Sequence, residues 1–301
     1  MACFHPLVAW QGVKPDGTKT RIQFEFKFGF NIKGIKRLLI PCGNCVGCRL
    51  EKSRQWAMRM VFESQMHEDN CFLTLTYDDE HLPKGETLVK KDVQMFIRMF
   101  RQWLRRHKPD VKIRYFACGE YGDRGNRPHY HLIIFGYKFE DMEKEINTES
   151  CCSVFTSKLL SQLWTKGFSS CGELSFESAA YVARYCMKKI NGKMAEEHYQ
   201  GRVPEFSVMS RRPGIGQAWF NKYGKGVYPK DSVVARGVRC LPPKYFDRVL
   251  KESNPELYEE IKNQRLMHID TPEDLDAYFR ELEYKEEVFK ENAKKQLKRK
   301  L

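Results

Sequence analysis

The sequence has no apolar run approaching the ~18 residues that a transmembrane helix needs. Its start, Met1 to Pro6, shows no basic segment followed by an apolar stretch, so no secretory leader is expected. Acidic side chains are in deficit, 39 against 52 Lys and Arg, which leaves a net charge of +13. There is no glycine-rich P-loop to cradle nucleotide phosphates and no repeat of fixed period. These absences exclude a membrane span, a secreted disulfide scaffold, a solenoid and a motor fuelled by its own nucleotide site. The expected compartment is a cytosol. There the 11 cysteines read as metal ligands or small buried hydrophobes rather than disulfides.

What is present fits a soluble globular chain of one large or two ordinary domains. From Glu256 onward acidic residues outnumber basic ones, so the first 255 residues carry more than the whole positive excess. A basic body of that kind suits a polyanion, nucleic acid first and a membrane surface second.

Periodicity places the elements. Ile22 to Phe28 alternates apolar and polar residues and predicts a strand, with Leu38–Ile40 as a second short one. A helix is expected from about Gly47 to Met66. Strands are expected at Cys71–Tyr77, Lys112–Cys118, Tyr130–Phe135 and Ser169–Phe176. Val93, Phe96, Ile97, Phe100 and Leu104 recur at helical spacing within residues 91–107 and mark a core-facing stripe. Further helices are expected at 157–164 and 177–190. Gly119 to Pro128 holds three glycines and reads as a hairpin loop. This order predicts an α+β fold, a central antiparallel sheet with helices on one face. Residues 192–243 read as irregular, basic and aromatic. The last stretch reads as a charged helical tail, supported by the i,i+4 pairs Glu286/Lys290 and Glu291/Lys295.

Two segments carry chemistry. His129 and His131 are two apart on an expected strand, so both imidazoles share one face and can reach one metal ion. Glu120 ends the preceding strand and could supply a third ligand, with Asp78, Asp79 and Glu80 as rivals. Two imidazoles and a carboxylate leave positions open for phosphate oxygens, which suits Mg²⁺ or Mn²⁺. Histidines so spaced can also simply line a solvated face. Tyr181 and Tyr185 are i,i+4 on an expected helix, followed by Lys188 and Lys189. Phenols on one stripe near ammonium groups suit phosphoryl transfer, and a packing face is the other reading.

Taken together, FLTLTY, RPHYHLIIFG and YVARYCMKK resemble, in this order, the three motifs of the HUH endonucleases. The resemblance is strongest to replication initiators of small single-stranded DNA phages, the gokushovirus-type microviruses. The motifs cover about residues 72–189, and the CGNCVGC segment is similar to those proteins too. The resemblance implies a ferredoxin/RRM-like catalytic sheet, a divalent metal on His129 and His131, Tyr181 and Tyr185 as alternating nucleophiles, and help from Lys188 or Lys189. It implies a rolling-circle initiator that nicks and rejoins a single strand through a 5′-phosphotyrosyl link. Its partners would be single-stranded DNA at a viral origin and a host helicase, polymerase and single-strand-binding protein, in the bacterial cytoplasm. Tyr130 stands where the family usually has a bulky aliphatic residue. The other readings are a non-catalytic, zinc-stabilised single-strand-binding protein, and a plasmid initiator or transposase of the same superfamily.

Four regions follow: 1–68 with the first strands and the cysteines, 69–192 as the endonuclease core, 193–254 as a basic aromatic stretch for DNA contact, and 255–301 as the tail. Cys42, Cys45 and Cys48 fall one ligand short of a tetrahedral zinc site, and Cys3 or His5 could be the fourth. In the 193–254 stretch, Arg211, Arg212, Trp219, Phe220, Lys222, Tyr223, Lys225 and Tyr228 are the residues that could hold a strand by charge and stacking.

Overall fold

The computed structural model describes residues 3–122, 125–144, 154–185, 194–267 and 272–298. Two compact units divide the chain, one made of residues 1–52 with 259–301 and the other of residues 53–258.

In the first unit, β1 (Leu7–Val13) pairs antiparallel with β2 (Lys33–Ile40), Leu7 opposite Ile40. The strand expected at Ile22–Phe28 does not form. β1 already has its ladder partner in β2, and this stretch meets it only through the Trp10–Gln23 bridge. Ile22, Phe24 and Phe26 stay exposed, with Phe26 edge-on to Trp10. Alternation makes one apolar face, but it supplies neither a hydrogen-bonding neighbour nor a cover for that face. The helical tail is present as a helix over Leu275–Lys298. Its Glu286 accepts from Lys290 at 3.0 Å and contacts His5 at 2.9 Å, and Phe289 packs by Phe4. The Lys295 side chain of the other expected pair lies outside the described residues.

The second unit is built on a sheet. α1 (Val46–Ser64) leads into β3 (Asn70–Thr76), α2 (Lys90–His107), β4 (Arg114–Tyr121) and β5 (Pro128–Phe135). Then come β6 (Met142–Lys144), β7 (Phe155–Ser157), α3 (Lys158–Leu163), β8 (Ser169–Glu173) and α4 (Phe176–Tyr185). A short helix, α5 (Met194–Tyr199), precedes β9 (Phe206–Met209). The seven strands run in the order β6-β7-β8-β3-β5-β4-β9, every pair antiparallel.

Helices cover both faces of this sheet rather than one. Leu73, Leu75, Tyr130, Leu132 and Ile134 pack on the stripe of α2 that the periodicity marked. Phe116, Cys118, Ile133 and Phe135 face the other way, against Ala57 and Met60 of α1 and Ala179, Val182 and Ala183 of α4. The sequence carries the reason. β5 from Tyr130 to Phe135 is apolar at nearly every position, as a strand must be when both faces are buried. At roughly 25 cal/mol per Å² of apolar area removed from water, these two layers dominate the stabilisation of the unit.

Residues 192–243 are more ordered than their composition suggested. β9 closes the β4 edge of the sheet, and α6 (Gln217–Val227) and α7 (Lys244–Ser253) follow. Phe220 and Tyr228 are buried, and Trp219 stacks on Phe62 with centroids 4.0 Å apart. Those rings serve the core, while Arg211, Arg212, Lys222, Tyr223 and Lys225 remain exposed. Among the described residues no helix is long and apolar enough to cross a membrane.

Candidate active site

Register sets the site. In the β4–β5 hairpin Glu120 lies directly opposite His129, and Cys118 opposite His131. Side chains two apart on a strand, and those directly across a ladder, share a face. Glu120, His129 and His131 therefore converge. Glu120 Oε1 is 2.9 Å from His129 Nε2 and 2.8 Å from His131 Nε2. Glu120 is 1% exposed and His131 4%, while the His129 side chain keeps some access to solvent. Gly122 leaves room for the outer ring, since a Cβ there would stand 3.0 Å from His129 Cε1.

The rings are oriented by the far nitrogens. His129 Nδ1 is 3.0 Å from the Arg127 carbonyl, which can only accept, so Nδ1 carries the proton. A neutral His129 then turns a bare Nε2 lone pair toward a carboxylate oxygen. Two acceptors facing each other at 2.9 Å call for a cation between them, a proton or a metal ion. His131 Nδ1 meets Thr74 Oγ1 at 3.1 Å, Thr74 being its register partner on β3, and Phe72 stacks on the ring. Burial pushes the Glu120 carboxyl up, but hydrogen bonds and charge from both histidines outweigh this and hold it below the ordinary carboxylate value. Two imidazole nitrogens and one carboxylate, their ligand atoms all within 4.8 Å of one another, fit a divalent ion with positions to spare. The rivals are otherwise engaged or apart: Asp78 binds His81 at 2.7 Å and Asp79 binds Arg127 at 2.7 Å, and Glu80 is not in the cluster.

Tyr130 points to the opposite face and does more than pack. Its hydroxyl receives the Val89 N–H at 2.8 Å and meets Tyr77 Oη at 2.7 Å, and Tyr77 in turn donates to Asp92. The residue between the histidines thus ties their strand to the start of α2. Burial first of all lifts the Tyr130 phenol to about 12 and raises Tyr77 as well, so neither suits ionisation.

α4 brings Tyr181 to the site. Its ring stands edge-on to His131 with centroids 5.1 Å apart and edge-on to Phe72 at 6.4 Å, and it is half-buried. Of Tyr185 the backbone is described, as the last residue of α4. Lys188 and Lys189 lie outside the described residues. Thr74 and Phe72 are site residues that the motif reading passed over. Their signal was available in FLTLTY, where alternate positions of β3 share a face with His131.

The cysteines form a second cluster, in the other unit. Cys3, Cys42, Cys45 and Cys48 bring their sulfurs within 4.8 Å of one another. Cys3 Sγ is 3.6 Å from Cys42 Sγ and 3.8 Å from Cys45 Sγ. A tetrahedron with metal–sulfur bonds of ~2.3 Å has edges of ~3.8 Å, so the four thiols match a tetrahedral sulfur site. Backbone N–H groups of Phe4, Cys42 and Cys45 point at the sulfurs at 3.3–3.4 Å, as thiolates require. Burial raises Cys45, but N–H groups of Cys48 and Phe4 overcome it and bring it down to about 6. Burial, with the neighbouring Cys3 and Cys45 thiols, lifts Cys48 to about 12. Four sulfurs this close cannot all ionise without a cation. Of the two candidates for the fourth ligand, Cys3 takes the place and His5 pairs with Glu286.

Comparison with known proteins places this geometry in a family. The profile of the family described as replication-associated protein ORF2 matches residues 70–190, the stretch that holds the sheet, the two histidines and the tyrosine helix. The chain is 34% identical to replication-associated protein VP4 of Bdellovibrio phage phiMH2K, over 84% of this chain and 82% of that protein. It is 35% identical to replication-associated protein ORF2 of Spiroplasma virus 4, over 88% and 86%. To replication-associated protein ORF4 of Chlamydia phage 1 it is 30% identical, over 83% and 64%. No solved structure matches. The chain belongs to the family of microvirus replication-associated proteins.

Proposed function

We propose that this protein starts rolling-circle replication of a circular single-stranded DNA genome by cutting and rejoining one strand at the viral origin. The observation that carries the reading is the Glu120–His129–His131 cluster with the Tyr181 ring beside His131. Glu120, His129 and His131 would hold Mg²⁺ or Mn²⁺. Bound there, the ion would act as a Lewis acid toward a phosphate oxygen.

The chain's own residues supply the rest. The Tyr181 oxygen attacks phosphorus and forms a new P–O bond. The P–O3′ bond breaks, the leaving oxygen takes up a proton to become a 3′-hydroxyl, and the 5′ phosphate remains on tyrosine. One ester replaces another, so rejoining needs no nucleotide. Arg127 O and Thr74 keep both imidazoles aimed inward, which is the preorganisation that such a step rewards. Tyr185, one helical turn on, is the second nucleophile that cuts the regenerated origin while the first end is still attached. Lys188 or Lys189 stabilises the charge that develops. Unwinding, synthesis and strand protection fall to host helicase, polymerase and single-strand-binding protein in the bacterial cytoplasm.

The four cysteines would hold a structural Zn²⁺. It would tie the residues before β1 to the start of α1, binding energy that counts directly as folding energy.

The test is incubation with labelled single-stranded origin DNA and Mn²⁺, followed by a denaturing gel. A covalent protein–oligonucleotide band that needs both metal and Tyr181 or Tyr185 is expected. A protein that binds the strand without ever forming that band is a single-strand-binding protein and not a nickase.

A further inference from the structure

Away from the cleavage site, the second unit carries a groove lined by arginine. Arg98, Arg101 and Arg105 fall at i, i+3 and i+7 and so form one stripe along α2. Arg211 and Arg212 face them from the turn that follows β9. Three adjoining hollows share Arg101 and together hold all five guanidinium groups, and among the described residues no carboxylate lines them. All five side chains are exposed. Five cations kept together without acidic partners repel one another, and nothing in the packing of the core calls for them. The floor of the groove is Tyr115 of β4, half-buried, with the Arg101 guanidinium 5.6 Å from its ring centroid.

The groove is remote from the histidines. Tyr115 belongs to the α2 side of the sheet and Glu120 to the α1/α4 side. Along β4 the two are also about 17 Å apart at ~3.4 Å per residue.

We propose that this arginine groove binds the sugar–phosphate backbone of double-stranded DNA, as a holding site separate from the place where the single strand is cut. Charge argues for a polyanion, and guanidinium is the side chain best matched to phosphate oxygens. Duplex rather than unpaired DNA follows from the aromatic content. Single strands are held where bases stack on open rings, and the ring on the groove floor is already covered by Arg101. Duplex phosphates recur every ~3.4 Å along each strand, so the ~10.5 Å from Arg98 to Arg105 on a helix rising ~1.5 Å per residue spans about three of them. The contacts are to backbone and not to bases, so binding is independent of sequence. The groove rests on the nicking proposal only in its purpose. It would keep the circular duplex engaged while the covalent complex cuts and rejoins.

The test uses the full chain and a blunt duplex that lacks any cleavage sequence. Fluorescence anisotropy gives the affinity between about 50 and 200 mM salt, where each phosphate contact steepens the logarithmic slope by ~0.9. Arg98→Gln/Arg101→Gln/Arg105→Gln should be shallower than wild type by about 2.7, and Arg211→Gln/Arg212→Gln by about 1.8. Because the two variants alter separate elements, misfolding of one leaves the other decisive. Adduct formation on a short single-stranded oligonucleotide should be unchanged in both. If wild type forms no adduct, the nicking proposal fails, and the duplex slopes still decide the groove, with the thermal shift caused by Mn²⁺ as the control for an intact fold. Unchanged slopes in both variants overturn the proposal. So does an equal loss of adduct on the short strand, which would make the groove part of the cutting cleft. Equally tight binding of wild type to anionic vesicles or polyglutamate would overturn it too.

Discussion

Replacing Glu120 with glutamine separates what the carboxylate does for the fold from what it does for the metal. Its Oε1 stands 2.9 and 2.8 Å from two imidazole nitrogens in a place that is 1% exposed. With Nδ1 of His129 committed to the Arg127 carbonyl, a neutral ring offers that oxygen only a lone pair. The glutamine amide has nearly the same shape and can turn its NH₂ toward the nitrogen, converting an acceptor–acceptor contact into a hydrogen bond worth about 1 kcal/mol. The metal-free variant should therefore melt at or slightly above the wild-type temperature. Its response to Mn²⁺ should be lost, because a neutral amide oxygen replaces the anionic ligand. An ion at a hundred times its Kd stabilises the wild type by about 2.7 kcal/mol. For a unit of this size that is a rise of roughly 5–10 °C in Tm, against less than about 2 °C expected for Glu120→Gln. Adduct formation should fall by at least ~100-fold, since a Lewis acid of this kind is worth several kcal/mol in the transition state. Thermal melts across a Mn²⁺ titration, with gel-based adduct rates on the same samples, measure both. A variant that keeps the full Mn²⁺ shift and the wild-type rate refutes Glu120 as a ligand. One that collapses without metal refutes the lone-pair argument.

Tyr181→Phe and Tyr185→Phe should each still form some adduct, and the double variant none. If one single variant is already devoid of adduct while the other completes successive rounds, alternation is wrong. Purified protein should contain about one zinc per chain, and Cys48→Ser should lower both zinc content and Tm; metal analysis finding neither zinc nor iron removes the site. Tyr130→Phe leaves the buried Val89 N–H and Tyr77 hydroxyl short of a partner and should cost about 1–3 kcal/mol, seen as a lower Tm with the Mn²⁺ response retained. Glu63 is fully buried. Burial raises its carboxyl, but His67, the Gly216 N–H and Arg114 more than compensate and hold it below the ordinary value. A pKa lower in the folded state means stability that is present above the unfolded value of ~4.3 and lost as pH falls through the folded one. Glu63→Gln should therefore cost about 3–5 kcal/mol at neutral pH by stranding Arg114, and melts at falling pH should show the gap to wild type closing below pH ~4.

Local pattern was enough where a residue's role depends on its own element. The stripe Val93–Leu104 fixes the buried face of α2, because helical spacing depends only on the chain between those residues. The H-x-H spacing puts both imidazoles on one face of β5 for the same reason, and the short hairpin makes Glu120 the register partner of His129. The C-x2-C-x2-C run places three sulfurs within reach of one another. Tertiary structure decided whatever depends on which distant segment arrives. Cys3 is the fourth sulfur, and His5 is not a ligand, because the segment before β1 returns to the Cys42–Cys48 turn while His5 meets Glu286 from the opposite end of the sequence. Thr74 orients His131 because β3 and β5 pair in that register, a long-range choice that no window of β3 contains. The alternation of Ile22–Phe28 reads the same with or without a partner strand, and β2 had taken the partner. Phe220 and Tyr228, among the rings grouped by sequence as a stacking surface, are core, since burial depends on what packs over a ring and not on the charge of its neighbours. The arginine groove joins α2 to the turn after β9, two segments separated by half the unit's sequence. β9 brings them together by pairing with the outer edge of β4, and a pairing made across that distance leaves no periodic mark in either segment.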